Sequence, residues 1–420
     1  MTIPAGYRRV DLPFERRAEM LSVDQWAFAM THPGDVAREI EPTLDWDRCR
    51  GLEVGDGLGG EAGDVAAVHS SFPYTLRTPG GTIAASGLTW VAVHPAHRRR
   101  GLLRSMIDDH FARSRARGEI VSTLVAAETT IYQRFGYGLA CPAYKITMSR
   151  DLTFREVAGS EDLIVRFEDA DLTRHASVVR AVAARDQRPG AMVVMSDALL
   201  AAQFTDPEAL RDGRERKRIA IVEDEHGPAA FALFQRRLAW DDTGPAGTGV
   251  TEAWAAATPA SSRRLWSVLA DLDLMRSFTA TGLPLDDPAI LLARDLRGLD
   301  VRLKDHVWVR ILDVPAALTA RTYAADLDLT VDVADATIAE NSHPWRIETR
   351  DGRATVTHAE PGSAVDLRMS IQDLSAAYLG GTTIAALAGA GLVDEVRQGA
   401  TSLLSEALRS PVAPRSTFSF

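Results

Sequence analysis

The chain has 420 residues, enough for two or three domains. Hydrophobic residues at 46% and charged residues at 25% fit a globular protein with a substantial core. A formal net charge of -10 excludes the basic excess that a nucleic-acid binder needs, and suits clefts that draw in cationic amines as well as it suits solubility alone. Taken in chain order, Glu15 to Thr31 reads as a helix with a broad apolar face of Met20, Leu21, Val23, Trp26, Ala27, Phe28 and Met30. Asp64 to Leu76 and Thr82 to Val93 read as strands around a Pro79-Gly80-Gly81 turn. A basic stretch then leads into a helix with Leu102, Leu103, Met106, Ile107 and Phe111 on one side, and Ile120 to Ala127 is a further short strand. Strand, helix and strand in that order suggest a βαβ unit in a mixed sheet.

A second unit begins near Arg150. Within it, Val250 to Trp266 matches Leu88 to Leu103: Trp254 aligns with Trp90, Pro259 with Pro95, and Arg263-Arg264 with Arg99-Arg100. This predicts an internal repeat whose second copy has Leu265 where the first has Gly101. A third unit is expected from Leu303, opening with a strand at His306 to Leu312 and a helix at Val314 to Tyr323. Strands at Leu327 to Val333, Trp345 to Glu348, Ala354 to His358 and Val365 to Met369 follow, then helices at Ile371 to Leu379, Thr382 to Ala390 and Thr401 to Ser410. The tail after Pro411 and Pro414 reads as extended. Cys49 and Cys141 lack a CxxC partner, so neither a metal site nor a disulfide framework is expected, and a cytoplasmic setting is the default. The first residues carry no apolar leader pattern, and no apolar run is long enough for a membrane span.

The chemistry concentrates between Trp90 and Arg104. A diphosphate needs converging donors and positive charge, which a helix N-terminus supplies. Arg98, Arg99, Arg100 and Gly101 sit where a strand turns into a helix, and glycine permits close backbone approach. The strand before it, Trp90-Val91-Ala92-Val93, offers an edge to which an amide-bearing pantetheine arm could add.

That series ends in Ile131-Tyr132-Gln133-Arg134-Phe135-Gly136-Tyr137 and resembles the GNAT family of N-acetyltransferases, whose corresponding segments bind acetyl-CoA. Leu103 departs from the small residue that many members carry there. The strings HRRRGLLR and IYQRFGYG, the three-part layout and the terminal Phe420 resemble the Eis (enhanced intracellular survival) family over essentially the whole chain. The resemblance implies an α/β (α+β) fold. Residues 1–150 would be a catalytic GNAT domain, 151–302 a GNAT-like domain without a cofactor loop, and 303–420 a sterol-carrier-protein-like domain.

It also implies acetyl-CoA as co-substrate. Val91, Ala92 and Val93 would meet the pantetheine, Arg99, Arg100, Gly101, Leu102, Leu103 and Arg104 the pyrophosphate, and Ala127 and Glu128 the thiol end. Tyr132 would be the general acid, with Tyr137 the packing alternative, and the Phe420 carboxylate the general base, although an unattached terminus usually frays. A backbone N–H near Val93 is expected to meet the developing oxyanion. The amine would be an aminoglycoside or other polyamine, in a pocket that Asp24, Trp26, Phe28 and Phe72 could line, although the three aromatics equally suit ordinary core. A homohexamer follows from the same resemblance. A protein lysine acetyltransferase and a non-catalytic lipid-binding scaffold are the alternative readings.

Overall fold

The structure, a computed structural model, describes residues 3–31, 39–55 and 63–420. The first unit supplies β1 (Tyr7–Asp11), α1 (Arg17–Phe28), β2 (Arg50–Val54), β3 (Val65–Thr78), β4 (Gly81–Val93), α2 (Leu102–Ala116), β5 (Val121–Val125) and β6 (Gly138–Ser149). β3 and β4 are the expected hairpin, paired from Thr78↔Gly81 outward. β4 and β5 run parallel, so the chain between them must cross over, and α2 is that crossover. Leu102, Met106, Ile107 and Phe111 are buried on its inner face, as their helical spacing requires.

The second unit contributes β7 (Ile164–Asp169), α3 (Leu172–Arg185), β8 (Met192–Met195), α4 (Asp197–Phe204), β9 (Arg218–Asp224) and β10 (Gly227–Arg237). A small hairpin, β11 (Trp240–Asp241) and β12 (Gly244–Pro245), precedes β13 (Gly247–Ala256), α5 (Pro259–Ala270), β14 (Met275–Leu283) and α6 (Pro288–Leu292). β13 and β14 are parallel around α5, repeating the arrangement of β4, α2 and β5. The repeat is therefore present, but its helix starts elsewhere. Thr258 caps α5 with a capping box and Pro259 takes its first turn, so the basic pair lies inside the helix. Arg263 is buried there and pairs with Glu161.

β15 (Arg302–Ile311) corrects the sequence reading. Its residues were expected to open the third unit. They instead pair with β5 on one side, Val307↔Val125 to Ile311↔Val121, and with β6 on the other. The large sheet runs β1-β2-β3-β4-β5-β15-β6-β14-β13-β10-β9-β7, with β8 on β3. Each half thus takes the strand beside its parallel pair from beyond its own run of sequence: β15 lies against β5, and β6 against β14.

The third unit follows with α7 (Val314–Thr319), β16 (Leu327–Ala334), β17 (Pro344–Arg350), β18 (Arg353–His358), β19 (Leu367–Ser370), α8 (Ile371–Ala377), α9 (Ile384–Gly389), β20 (Val393–Glu395) and α10 (Ala400–Leu408). Its separate sheet has the order β18-β17-β16-β19-β20. A buried ion pair fixes it to the first unit: Arg310 of β15 binds both carboxylate oxygens of Asp335, at 2.7 and 2.6 Å, and its Nε donates to the Phe135 carbonyl at 2.7 Å.

Candidate active site

β4 and β5 are paired only from Ala85↔Val121 to Gly87↔Thr123. Beyond Gly87 they part, and a cleft of about 750 Å³ opens along the freed edge of β4. β4 is bulged here. Between Ala92↔Val68 and Thr89↔Ser70 it carries one residue more than β3, and Trp90 takes a positive φ of 55° to absorb it. The His94 N–H bonds to Ala66 across the ladder, so by antiparallel alternation the Val93 N–H faces the cleft. A peptide-like arm laid in the cleft would meet that edge.

At the end of β4 the chain makes a 3-10 turn, Pro95–His97, in which the His94 ring accepts from the Ala96 N–H. Arg99 and Gly101 then adopt left-handed conformations, φ 61° and 83°. α2 begins at Leu102 with no side-chain cap, so its first amides remain available to an anion. Arg98, Arg99, Arg104 and Arg134 line the cleft around this helix end. None of the four forms an ion pair among the described residues, although Arg104 and Arg134 lie over the Phe135 ring at 5.4 and 5.3 Å. Free amides, left-handed backbone and unneutralised guanidiniums are what a diphosphate requires, and the parted strands fit an extended arm.

Tyr132 lies across the cleft with Ala127, Glu128 and Ile131. Its hydroxyl makes no hydrogen bond among the described residues, and burial, aided by Glu128, pushes its pKa up to about 12. Tyr137 packs edge-on to it at 5.9 Å but is fully buried, with its hydroxyl on Ser122 Oγ at 2.7 Å.

The sequence agrees with this geometry over most of its length. Models of the acetyltransferase (GNAT) domain match residues 15–140 and 196–311, and a sterol carrier protein domain matches 314–415. An uncharacterized N-acetyltransferase of Streptomyces avermitilis is 35% identical over 396 residues, covering 92% of this chain and 93% of that protein. The N-acetyltransferase Eis of Mycobacterium tuberculosis is 30% identical over 383 residues, covering 87% and 88%. The chain belongs to the Eis family of GNAT N-acetyltransferases. Its fold is also that of solved structures: Eis1 from Mycobacterium abscessus has a TM-score of 0.79 at 23% identity over 99% of this chain and all of that one. A GCN5-related N-acetyltransferase from Kribbella flavida has a TM-score of 0.76 at 24% identity, over 99% of this chain and 98% of that one. The GNAT fold implies use of acetyl-CoA.

In this Eis-family enzyme the cleft gathers Val91, Ala92, Val93, Arg99, Gly101, Leu102, Leu103, Arg104, Ala127, Glu128 and Tyr132. Arg100 is turned away from it and donates to the Tyr7 hydroxyl at 3.2 Å. Trp26 and Phe28 stand at the end of α1 on the cleft wall, 62% and 44% exposed. Asp24 and Phe72 are buried and are not among the lining residues. Arg134 was missed, although it lies in the same string as Tyr132. His97 was missed too; it is buried with Nδ1 on the Tyr7 hydroxyl at 2.9 Å.

The chain end does not fray. Residues 414–418 are buried, and the Phe420 ring stands edge-on to Phe72 at 6.1 Å and Tyr74 at 6.0 Å. A Cβ on Gly87 would come within 2.7 Å of that ring. Gly87 is the last paired residue before β4 and β5 part, so the Phe420 ring packs beside the root of the cleft, although Phe420 is not among the residues that line it. Among the described residues no group of three His, Cys, Asp or Glu gathers to hold a metal, and no helix is long and apolar enough to cross a membrane.

Proposed function

We propose that this enzyme transfers an acetyl group from acetyl-CoA directly to a primary amine of an aminoglycoside or another polyamine. The observation that carries the reading is the docking of Phe420 against Gly87, at the root of the cleft that Tyr132 faces. Acetyl-CoA supplies the acyl group as a thioester. Arg99, Arg104 and the first amides of α2 hold its diphosphate, and β4 orders its arm.

The Val93 N–H donates to the thioester oxygen as charge grows there. An alkylamine's pKa is near ~10.4, so its ammonium first loses a proton to solvent, which frees the lone pair that attacks. As its nitrogen bonds to carbon that value collapses, and the Phe420 carboxylate, ionised at neutral pH, takes the proton directly or through a water. Tyr132 gives its proton to the departing sulfur; a hydroxyl with a pKa pushed up to about 12 is still protonated when the reaction needs it. Exposed Trp26 and Phe28 on the cleft wall favour a cationic substrate, whose ammonium groups can stand over the rings. By family resemblance the enzyme works as a homohexamer in the cytoplasm, and sedimentation of the purified chain tests the assembly.

The test measures thiol release from acetyl-CoA against an aminoglycoside, spermidine and a lysine-rich peptide, with product masses. The intact chain is expected to acetylate the first two. Removing Phe420 alone should lower turnover on the order of 10²- to 10⁴-fold while acetyl-CoA still binds. Unchanged turnover in that truncation removes the terminal base. Transfer to the peptide alone would make the enzyme a protein lysine acetyltransferase, and no release with any amine would favour a lipid-binding scaffold.

A further inference from the structure

The second unit has its own counterpart of the cofactor cleft. It lies in the same place, between the end of β13, the start of α5 and the loop after β14, and is lined by Trp254, Thr258, Pro259, Ser262 and Asp287. It measures about 190 Å³, against about 750 Å³ in the first unit. Arg415, from the tail of the chain, lines it too. Its guanidinium lies 4.3 Å over the Trp254 ring, donates to the Trp254 carbonyl at 3.2 Å and pairs with Asp186 at 3.0 Å. Both members of that pair are almost completely buried, 3% and 4% exposed.

The polar contacts of the tail around Arg415 run to the second unit and β15. The Ala413 N–H donates to Asp286 at 2.9 Å, and the Arg415 N–H to the Pro189 carbonyl at 2.8 Å. Thr417 Oγ1 accepts from the Met192 N–H at 3.1 Å, and Ser419 Oγ meets His306 Nε2 at 2.9 Å. Gly190, at φ 89°, lets the tail pass: a Cβ there would sit 2.8 Å from the Arg415 carbonyl.

The aromatic contacts by themselves leave one ambiguity, which the hydrogen bonds of Thr417 and Ser419 oppose only weakly beside a buried charge. The chain ends Phe418-Ser419-Phe420, with aromatic rings two residues apart. In an extended segment such residues share a face, so a two-residue slip would put Phe420 into the slot of the fully buried Phe418. The terminal carboxylate would then move by roughly 7 Å. A buried ion pair does not tolerate such a slip, because it would leave a charge unpaired in the interior.

We propose that the second unit's vestigial cofactor cleft is a lock for the chain end, and that Arg415, paired with Asp186, is the positioning residue that sets the register of Phe420 at the first unit's active site. The proposal rests on the Phe420 carboxylate being the base. It gives the unit without a cofactor loop a part in catalysis.

The test uses the full chain with Asp186→Asn and Arg415→Met together, which removes both charges. The amide side chain would keep an oxygen to accept from the Arg188 N–H, as Asp186 does now. Three readouts are taken: release of Phe420 by a carboxypeptidase, kcat and KM for acetyl-CoA with the fastest amine of the panel, and the same kcat in chains lacking Phe420. The lock predicts faster Phe420 release, kcat lowered by tenfold to on the order of 100-fold with KM within about twofold, and no further loss once Phe420 is absent. Arg415→Lys, which keeps a charge for Asp186, should recover part of the rate. The proposal is overturned if the double variant releases Phe420 no faster than the parent, keeps its kcat, or loses the same factor in chains without Phe420. Should removal of Phe420 itself leave turnover intact, the terminal base fails, and the carboxypeptidase result alone decides whether the lock exists.

Discussion

Gly87→Ala probes the contact between the parting strands and the chain end. An ideal Cβ at Gly87 would lie 2.7 and 2.8 Å from Cε2 and Cζ of Phe420. Ordinary carbon contacts lie at about 3.5–4.0 Å, so the ring must withdraw by roughly 1 Å. The atoms met are the far end of a side chain, which makes withdrawal cheaper than a shift of β4. The backbone at Gly87 is not left-handed, so alanine brings no torsional strain. Overpacking of this kind costs about 1–3 kcal/mol. A reacting group misplaced by about 1 Å can lose on the order of 100-fold in rate. The expected outcome is a folded variant with acetyl-CoA affinity near that of the parent and kcat down by tenfold to on the order of 100-fold, read by thiol release and calorimetric binding. Once Phe420 is deleted, the substitution should no longer matter. Full activity with the ring displaced in a crystal structure of the variant would refute the reasoning.

Three further outcomes follow from the same geometry. Tyr132→Phe should lose roughly 10²- to 10⁴-fold in kcat at nearly unchanged thermal stability, because the ring stays and the hydroxyl makes no hydrogen bond among the described residues; with its pKa pushed up to about 12, titration of Tyr132 should add no alkaline loss of rate between pH 7 and about 10. Asp335→Ala should destabilise by about 3–5 kcal/mol, since it strands the fully buried Arg310 that also holds the Phe135 carbonyl, and a melting temperature equal to the parent's would contradict that. His306 is held neutral by burial, with its pKa lowered from 6.5 to about 4. A depressed histidine contributes stability that is full above its unfolded pKa and is lost as pH falls toward the folded one, a change of about 3 kcal/mol between pH 6.5 and 4. His306→Gln should flatten that acid limb in melts at pH 7 and 5, and an unchanged slope would refute it.

Local patterns in the sequence carried much of the fold. The β3–β4 hairpin, the apolar face of α2 and the strands β16 to β19 were all legible, because a period of two or 3.6 and a Pro-Gly turn are written in neighbouring residues. The strand, basic loop and helix from Trp90 to Arg104 were legible for the same reason, since they follow one another directly. Local pattern misled where a tertiary choice was needed. The strand at His306 to Leu312 was visible, but which sheet it joins depends on an open edge beside β5 that only the folded sheet presents. Arg263-Arg264 looked like a second basic loop until the Thr258 cap drew the helix start seven residues ahead of the position aligned with Leu102.

The left-handed Trp90 and Arg99 had no signal at all, since neither residue type favours that conformation and the surrounding fold imposes it. Length, composition and the spacing of apolar and basic residues by themselves determined that this chain builds two related βαβ units, a third α/β unit and one arginine-rich helix start. Those properties need only contacts close in sequence. The tertiary structure alone decided that β6 and β15 are shared between the halves, that Arg100 leaves the cleft while Arg134 enters it, and that the last residue stands beside the root of the first unit's cleft. Each depends on buried surfaces and ion pairs, such as Arg415 with Asp186, whose partners lie hundreds of residues apart and meet only when the whole sheet is assembled.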